Sequence, residues 1–194
     1  MSPETLRVLL ADDESIRLLS LRAQLNALGH KVVAEASTGQ EAVTLAGTTA
    51  PDLAIMDIKM PGMDGIEAAE LITRERPIPI ILLTAYSEAE LVERAVQANV
   101  AAYLMKPVAP EDLLPAITLA LARFRQFQAL RQEVDDLRGA LEARKVIERA
   151  KGILMRRLEL TEEEAFRRLQ RQSQSTNRKL AEVAQAIVLA DSLL

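Results

Sequence analysis

Through residue 120 the chain alternates short β-branched apolar runs with segments of helical periodicity, and that alternation leaves little choice of architecture. The apolar runs are "RVLLA", "KVVAEA", "DLAIMD", "IPIILLTA" and "AAYLM". Between and after them come "SIRLLSLRAQLNALG", "GQEAVTLAGT", "GIEAAELITRE", "EAELVERAVQAN" and "PEDLLPAITLALARF". Parallel strands cannot be joined by a tight turn and need a crossover, which a helix supplies. Strands that each precede a helix therefore predict an α/β domain built on a five-stranded parallel sheet. The breakers agree: Gly29 follows the first helix, Pro51 precedes the third strand, and Pro77 and Pro79 bracket the start of the fourth.

The first strand stops on two adjacent carboxylates, Asp12 and Asp13. Like charges at the mouth of a buried strand repel and cost desolvation, so either they are solvated or something cationic belongs between them. In a doubly wound sheet, ligands bind beyond the carboxyl ends of the strands. Those ends carry Asp12 and Asp13, then Asp57, Thr84 and Lys106: three carboxylates, a hydroxyl and an ammonium aimed at one crevice. Taken singly, Thr84 reads as a strand-end hydroxyl, Tyr103 as a packed surface aromatic and Lys106 as a solvated lysine. Their convergence on one edge favours a site. Asp64, in "GMDG", belongs to the tight turn leading into the third helix. His30, the only histidine, follows Gly29 in a loop and has no expected role.

Length bounds the rest. A chain of 194 residues accommodates one sizeable domain and a smaller one, and 49% apolar residues suit a globular protein. With no cysteine, disulfides, zinc–thiolate sites and thiol catalysis are excluded. The opening "MSPETLRVLLADDE" lacks a basic n-region and no run approaches a membrane span, so a cytoplasmic location is expected. Charge divides the chain. Residues 1–119 hold nine basic against seventeen acidic side chains, a net of −8, whereas residues 144–194 hold eleven against seven, a net of +4. Two modules with different partners follow, the basic one a candidate for nucleic acid.

After Phe124 the loops vanish. Phe127, Leu130, Val134, Leu137 and Leu141 are spaced three and four apart and flanked by charge, about two heptads of an a/d seam. Such a stripe is either an amphipathic linker lying on its own domain or the seam of a parallel coiled-coil dimer; we favour the dimer, although Gly139 weakens the helix. The last fifty residues read as three helices: about 143–157, then 162–174 opened by "TEEE" at Thr161, then 177–192 opened by Asn177. Ile147, Ile153, Leu154, Phe166, Leu169, Leu180, Val183, Ile187 and Val188 could form their core. The expected domains are 1–120, a linker helix over 121–143, and 144–194.

Over residues 1–120 the segments "LLADDE", "IMDIKMPGMDG", "LLTAY" and "AYLMKP", in order and at family spacing, resemble the receiver domain of two-component response regulators. The resemblance implies a flavodoxin-like doubly wound sheet. It implies that Asp57 is the phosphoacceptor and that Mg²⁺ is held by Asp13 directly, Asp12 through water, Asp57 and the backbone carbonyl of Lys59. Lys106 would pair with the phosphoryl group, Pro107 would occupy the family's cis-peptide position, and Thr84 with Tyr103 would form the switch. The opening pair of acids then has its cation. A sensor histidine kinase is the implied phosphoryl donor.

Residues 144–188 resemble the ANTAR domain of transcription antitermination regulators through "IERAKGILM", "TEEEAFRRL" and "NRKLAEVA". Where family members commonly show an Ala-Arg pair near the end of the second helix, this chain has "QRQSQS". The resemblance implies binding to paired RNA hairpins that overlap a terminator. Arg144, Lys145, Arg149, Lys151, Arg156 and Arg157, with Arg167, Arg168, Arg171, Arg178 and Lys179, offer a phosphate-tracking face. For Ala150 and Lys151 the competing reading is a packing position, and Phe166, the one aromatic there, sits where a core residue would. The expected function is a phosphorylation-controlled RNA-binding antiterminator, dimeric when phosphorylated, that turns over no substrate beyond its own phosphorylation and dephosphorylation. The alternatives are a helix-turn-helix DNA binder and a protein-binding scaffold. Against DNA, "NRKLAEVAQAIVLADSLL" has base-reading candidates only in its first turn and turns apolar afterwards.

Overall fold

The computed structural model describes residues 5–85 and 100–192. The chain divides into two compact units, Met1–Gln128 and Ala129–Leu194. The predicted helix "EAELVERAVQAN" lies outside the described residues.

In the first unit, β1 (Arg7–Ala11), β2 (Lys31–Ala36), β3 (Leu53–Asp57), β4 (Ile80–Thr84) and β5 (Ala102–Met105) form one sheet. Every pairing is parallel and the spatial order is β2-β1-β3-β4-β5. The three inner strands are almost wholly apolar because both faces are covered. Side chains alternate across the sheet. Leu9, Ala11, Ala54 and Met56 join a core with Ala42 and Ala46 of α2 (Gly39–Thr49) and Ile66, Ala69 and Ile72 of α3 (Gly65–Glu75). On the other face Val8, Leu10, Ile55 and Leu83 pack with Leu18, Leu21 and Leu25 of α1 (Ser15–Ala27) and Leu113, Ile117 and Ala120 of α4 (Pro110–Leu158). The chain turns to opposite sides of β1 on reaching β2 and β3, so the crevice between the carboxyl ends of β1 and β3 is the switch point where such sheets bind ligands.

Two local devices shape that crevice. Asp64 caps α3, accepting from the backbone N–H of Ile66 and Glu67 at 2.9 and 2.8 Å while Glu67 reaches back to the Asp64 N–H, a full capping box. Gly65 lies against the end of β3: a Cβ there would collide with the carbonyl oxygen of Asp57. Only glycine lets the start of α3 come this close.

The C-terminal unit departs from the expected boundaries. The segment 143–157 is not a separate helix; α4 runs unbroken for 49 residues from Pro110 to Leu158. Nothing between them breaks it, since Gly139 is an interior glycine that lowers helix propensity without terminating it. α5 (Glu162–Thr176) opens, as expected, on a Thr161 capping box with Glu164. Asn177 does not open the last helix. It closes α5 in the left-handed conformation at φ 52°, which Asn tolerates better than most residues, and α6 (Leu180–Asp191) starts three residues later behind Lys179. Ala150, Ile153, Leu154, Ala165, Leu169, Val183, Ala184 and Val188 make the core, with Ile147, Leu180 and Ile187 at its margin. Phe166, expected in that core, is half-buried beside it; Ala165 and Leu169 occupy the inward positions of α5.

The predicted seam residues of α4 lie on its exposed surface: Leu130, Leu137 and Leu141 are 58–61% exposed, Phe127 and Val134 37 and 38%. No helix among the described residues is long and apolar enough to cross a membrane.

Candidate functional site

The crevice gathers four of the predicted residues. Asp12, the first residue past β1, is fully buried; its N–H donates to the Ala36 carbonyl at 3.0 Å, and its Oδ1 accepts the Glu14 N–H at 2.8 Å. Asp57 ends β3 at 3% exposure, its Oδ1 accepting the Lys59 N–H at 3.2 Å. Asp13 is the open member of the trio. One oxygen from each of the three carboxylates lies within 4.8 Å of the others. At such separations each like-charged pair costs roughly 4 kcal/mol at an effective dielectric constant of ~20, so nearby cations stabilise the trio.

Lys106 supplies one. Its Nζ lies 2.5 Å from Asp57 Oδ2 and 3.6 Å from Asp12 Oδ2, and its side chain is 16% exposed. Its backbone N–H donates to the Thr84 carbonyl at 2.8 Å, which ties the loop after β5 to the end of β4, and the Lys106–Pro107 peptide is cis.

The second cation is Arg17, which sequence reasoning missed. From the first turn of α1 its Nε lies 2.9 and 2.8 Å from the two oxygens of Asp12. Nη2 lies 3.2 Å from Asp13 Oδ1 and 3.4 Å from Asp57 Oδ2, and Nη1 is 2.7 Å from Glu14 Oε1. The hydrogen bond with Asp12 raises the Arg17 pKa further above its ordinary value. The available signal was spacing: Arg17 stands four residues after Asp13, a helical i,i+4 pair.

Thr84 and Tyr103 do not meet the carboxylates. The Thr84 hydroxyl donates to the Ala85 carbonyl at 3.2 Å, and Tyr103, on β5, is 51% exposed. His30 is buried; its Nδ1 accepts the Leu6 N–H at 3.4 Å, its Nε2 has no hydrogen-bond partner among the described residues, and burial lowers its pKa.

In the C-terminal unit the predicted basic residues fall into three groups. Lys151 is buried, with its ammonium 2.9 Å from Glu148 and 2.6 Å from Glu162 and 6.0 Å from the centre of the Phe166 ring. These carboxylates raise the Lys151 pKa, and Lys151 in turn lowers that of Glu162. Lys151 thus holds the packing position: it fastens α5 to the end of α4. Lys145, Arg157, Arg167 and Arg178 are exposed and pair with Glu142, Asp191, Glu163 and Glu182. Arg144, Arg149, Arg156, Arg168, Arg171 and Lys179 are exposed and form no ion pair among the described residues. Unpaired arginines on a helical domain suit phosphate contacts.

The comparisons with known proteins follow the same division. The model of the response regulator receiver domain matches residues 8–118, and that of the ANTAR domain matches residues 135–188, beginning inside the segment assigned from sequence to the linker. The chain is 47% identical over 182 residues to the transcriptional regulatory protein PdtaR of Mycobacterium tuberculosis, covering 94% of this chain and 89% of that protein. It is 42% identical over 120 residues to the positive alginate biosynthesis regulatory protein of Pseudomonas aeruginosa, covering 59% of this chain and 47% of that protein. Among solved structures, the signal receiver domain of a modulated diguanylate cyclase from Desulfovibrio desulfuricans is similar at a TM-score of 0.60 and 34% identity, covering 63% of this chain and 98% of that one.

Proposed function

The chain belongs to the response-regulator family, with a receiver domain followed by an ANTAR output domain, and on that premise we propose that Asp57 phosphorylation controls RNA binding by the C-terminal helices, and through it transcription antitermination. The observation that supports this most directly is one element. α4 contributes Leu113, Ile117 and Ala120 to a core of the first unit and Ala150, Ile153 and Leu154 to the core of the basic unit.

Asp57 is the nucleophile. Its carboxylate oxygen forms a bond to phosphorus as the P–N bond of a kinase phosphohistidine breaks, and the electron pair leaves with the imidazole, which a proton then neutralises. Asp12, Asp13 and Asp57 fit Mg²⁺: they are hard oxygen donors, two of them buried, whose mutual repulsion a cation relieves. Asp13 would hold the ion directly and Asp12 through water, with the Lys59 carbonyl completing the protein ligands. When bound, Mg²⁺ offsets the charge on the phosphoryl oxygens. Lys106 stands 2.5 Å from Asp57 and binds the same oxygens after transfer. The Thr84 hydroxyl, now spent on Ala85, turns to the phosphoryl group, and Tyr103 moves inward from its exposed position.

At the output end, Arg144, Arg149, Arg156, Arg168, Arg171 and Lys179 carry the electrostatic contact with structured RNA. The exposed stripe Phe127, Leu130, Val134, Leu137 and Leu141 closes on a second copy, so that a phosphorylated homodimer holds two hairpins. The protein acts in the cytoplasm as a regulator; its only chemistry is gain and loss of its own phosphoryl group. A gel-shift series with hairpin RNA and duplex DNA tests this. Phosphorylated protein should prefer hairpin RNA, and Arg149→Glu should weaken that binding and reduce its salt slope by about one counterion. Equal affinity for duplex DNA, or no RNA binding in either state, contradicts the assignment.

A further inference from the structure

Arg17 touches every carboxylate that the proposed metal site would use. Its Nε spans both oxygens of Asp12 at 2.9 and 2.8 Å, and Nη2 reaches Asp13 and Asp57. Asp12 is fully buried, so this forked contact, together with Lys106, is what compensates its charge. We propose that Arg17 is a tethered counter-cation that occupies the acidic crevice in place of a divalent ion and sets how tightly that ion is held.

The inference rests on the reading of Asp12, Asp13 and Asp57 as a Mg²⁺ site. The physical ground is competition for shared oxygens. A dication seated among the three carboxylates would stand beside a guanidinium contacting those same atoms, and like charges at that range exclude one another. To admit the ion, Arg17 has to release Asp12 and Asp13. It has a place to go, because Nη1 already lies 2.7 Å from Glu14 Oε1, whose side chain is 61% exposed and outside the trio. The guanidinium can pivot on Glu14 and leave the crevice without losing every partner. Its side chain is 31% exposed, so the motion needs no rearrangement of the core. Arg17 is accordingly a positioning residue for Asp12 and Asp13.

The test is calorimetric titration of Mg²⁺ into the full-length, unphosphorylated protein and its variants. Arg17→Met keeps the aliphatic stem and removes the competitor, and should bind Mg²⁺ about tenfold more tightly, as expected from losing charge-assisted hydrogen bonds to the ligand oxygens. Arg17→Lys keeps the charge without the fork and should fall between Arg17→Met and wild type. Arg22→Met, on the same helix and paired with Glu35 at 3.2 Å, controls for loss of a helix charge and should leave affinity unchanged. Equal or weaker Mg²⁺ binding by Arg17→Met, or an equal gain in Arg22→Met, overturns the inference. If wild type and all variants fail to take up Mg²⁺, the metal reading itself falls, which is a different result from equal binding by all.

Discussion

At the scale of single residues, the crevice shows why charge type matters less than charge placement. In their buried setting Asp12 and Asp57 are compensated by Lys106, from the loop after β5, and by Arg17, from α1, beside the backbone N–H groups of Glu14 and Lys59. The acids and Lys106 were legible in the sequence because each ends a strand or begins the loop after one. Arg17 was not, because its role depends on which way the first turn of α1 faces. Lys151 shows the converse: by type it belonged to the basic face, and by burial it belongs to the packing. His30 has a consequence of its own. Buried against the Leu6 N–H, its folded pKa lies below the ordinary 6.5, so the unfolded chain takes up the proton first as pH falls. The stability it permits is complete above about pH 6.5 and is lost as pH drops through the folded pKa. Urea unfolding at a series of pH values should show that His30→Gln loses less stability than wild type between neutral pH and the folded pKa. Parallel losses would mean that His30 titrates alike in both states.

At the scale of elements, strands and short helices followed from period and breakers, and the boundaries that failed did so for identifiable reasons. The a/d stripe of residues 127–141 and the helical pattern after it read as two helices, yet no Pro or cap signal separates them and α4 continues. Asn177 carries the same short polar side chain whether it opens one helix or closes another, and only its left-handed backbone decides. The seam of α4 is exposed along residues 127–141. Burying a leucine is worth about 1.5–3 kcal/mol, so replacing Leu130, Val134 and Leu137 by polar residues should weaken self-association of the phosphorylated protein by more than about a hundredfold. Sedimentation equilibrium checks it. A wild type that stays monomeric in both phosphorylation states would show that the stripe does not join two copies.

At the scale of the whole molecule, charge separates what the chain does. The acidic unit, at net −8 for residues 1–119, carries the carboxylate crevice, and the basic segment, at net +4 for residues 144–194, carries the unpaired arginines. This division was visible in composition alone, but which basic side chains are available was not, because ion pairs with Glu142, Asp191, Glu163 and Glu182 depend on the folded helices. Control over what the basic unit does to a transcript rests with one carboxylate, Asp57. It is tested most directly by in vitro transcription through a template whose paired hairpins overlap a terminator, with wild type or Asp57→Asn protein, each with and without a small-molecule phosphoryl donor. The amide cannot act as the nucleophile. Wild type treated with donor should raise read-through above the untreated level, while Asp57→Asn should give the same read-through with and without donor. Equal stimulation of both proteins by the donor, or no stimulation of either, would contradict the account.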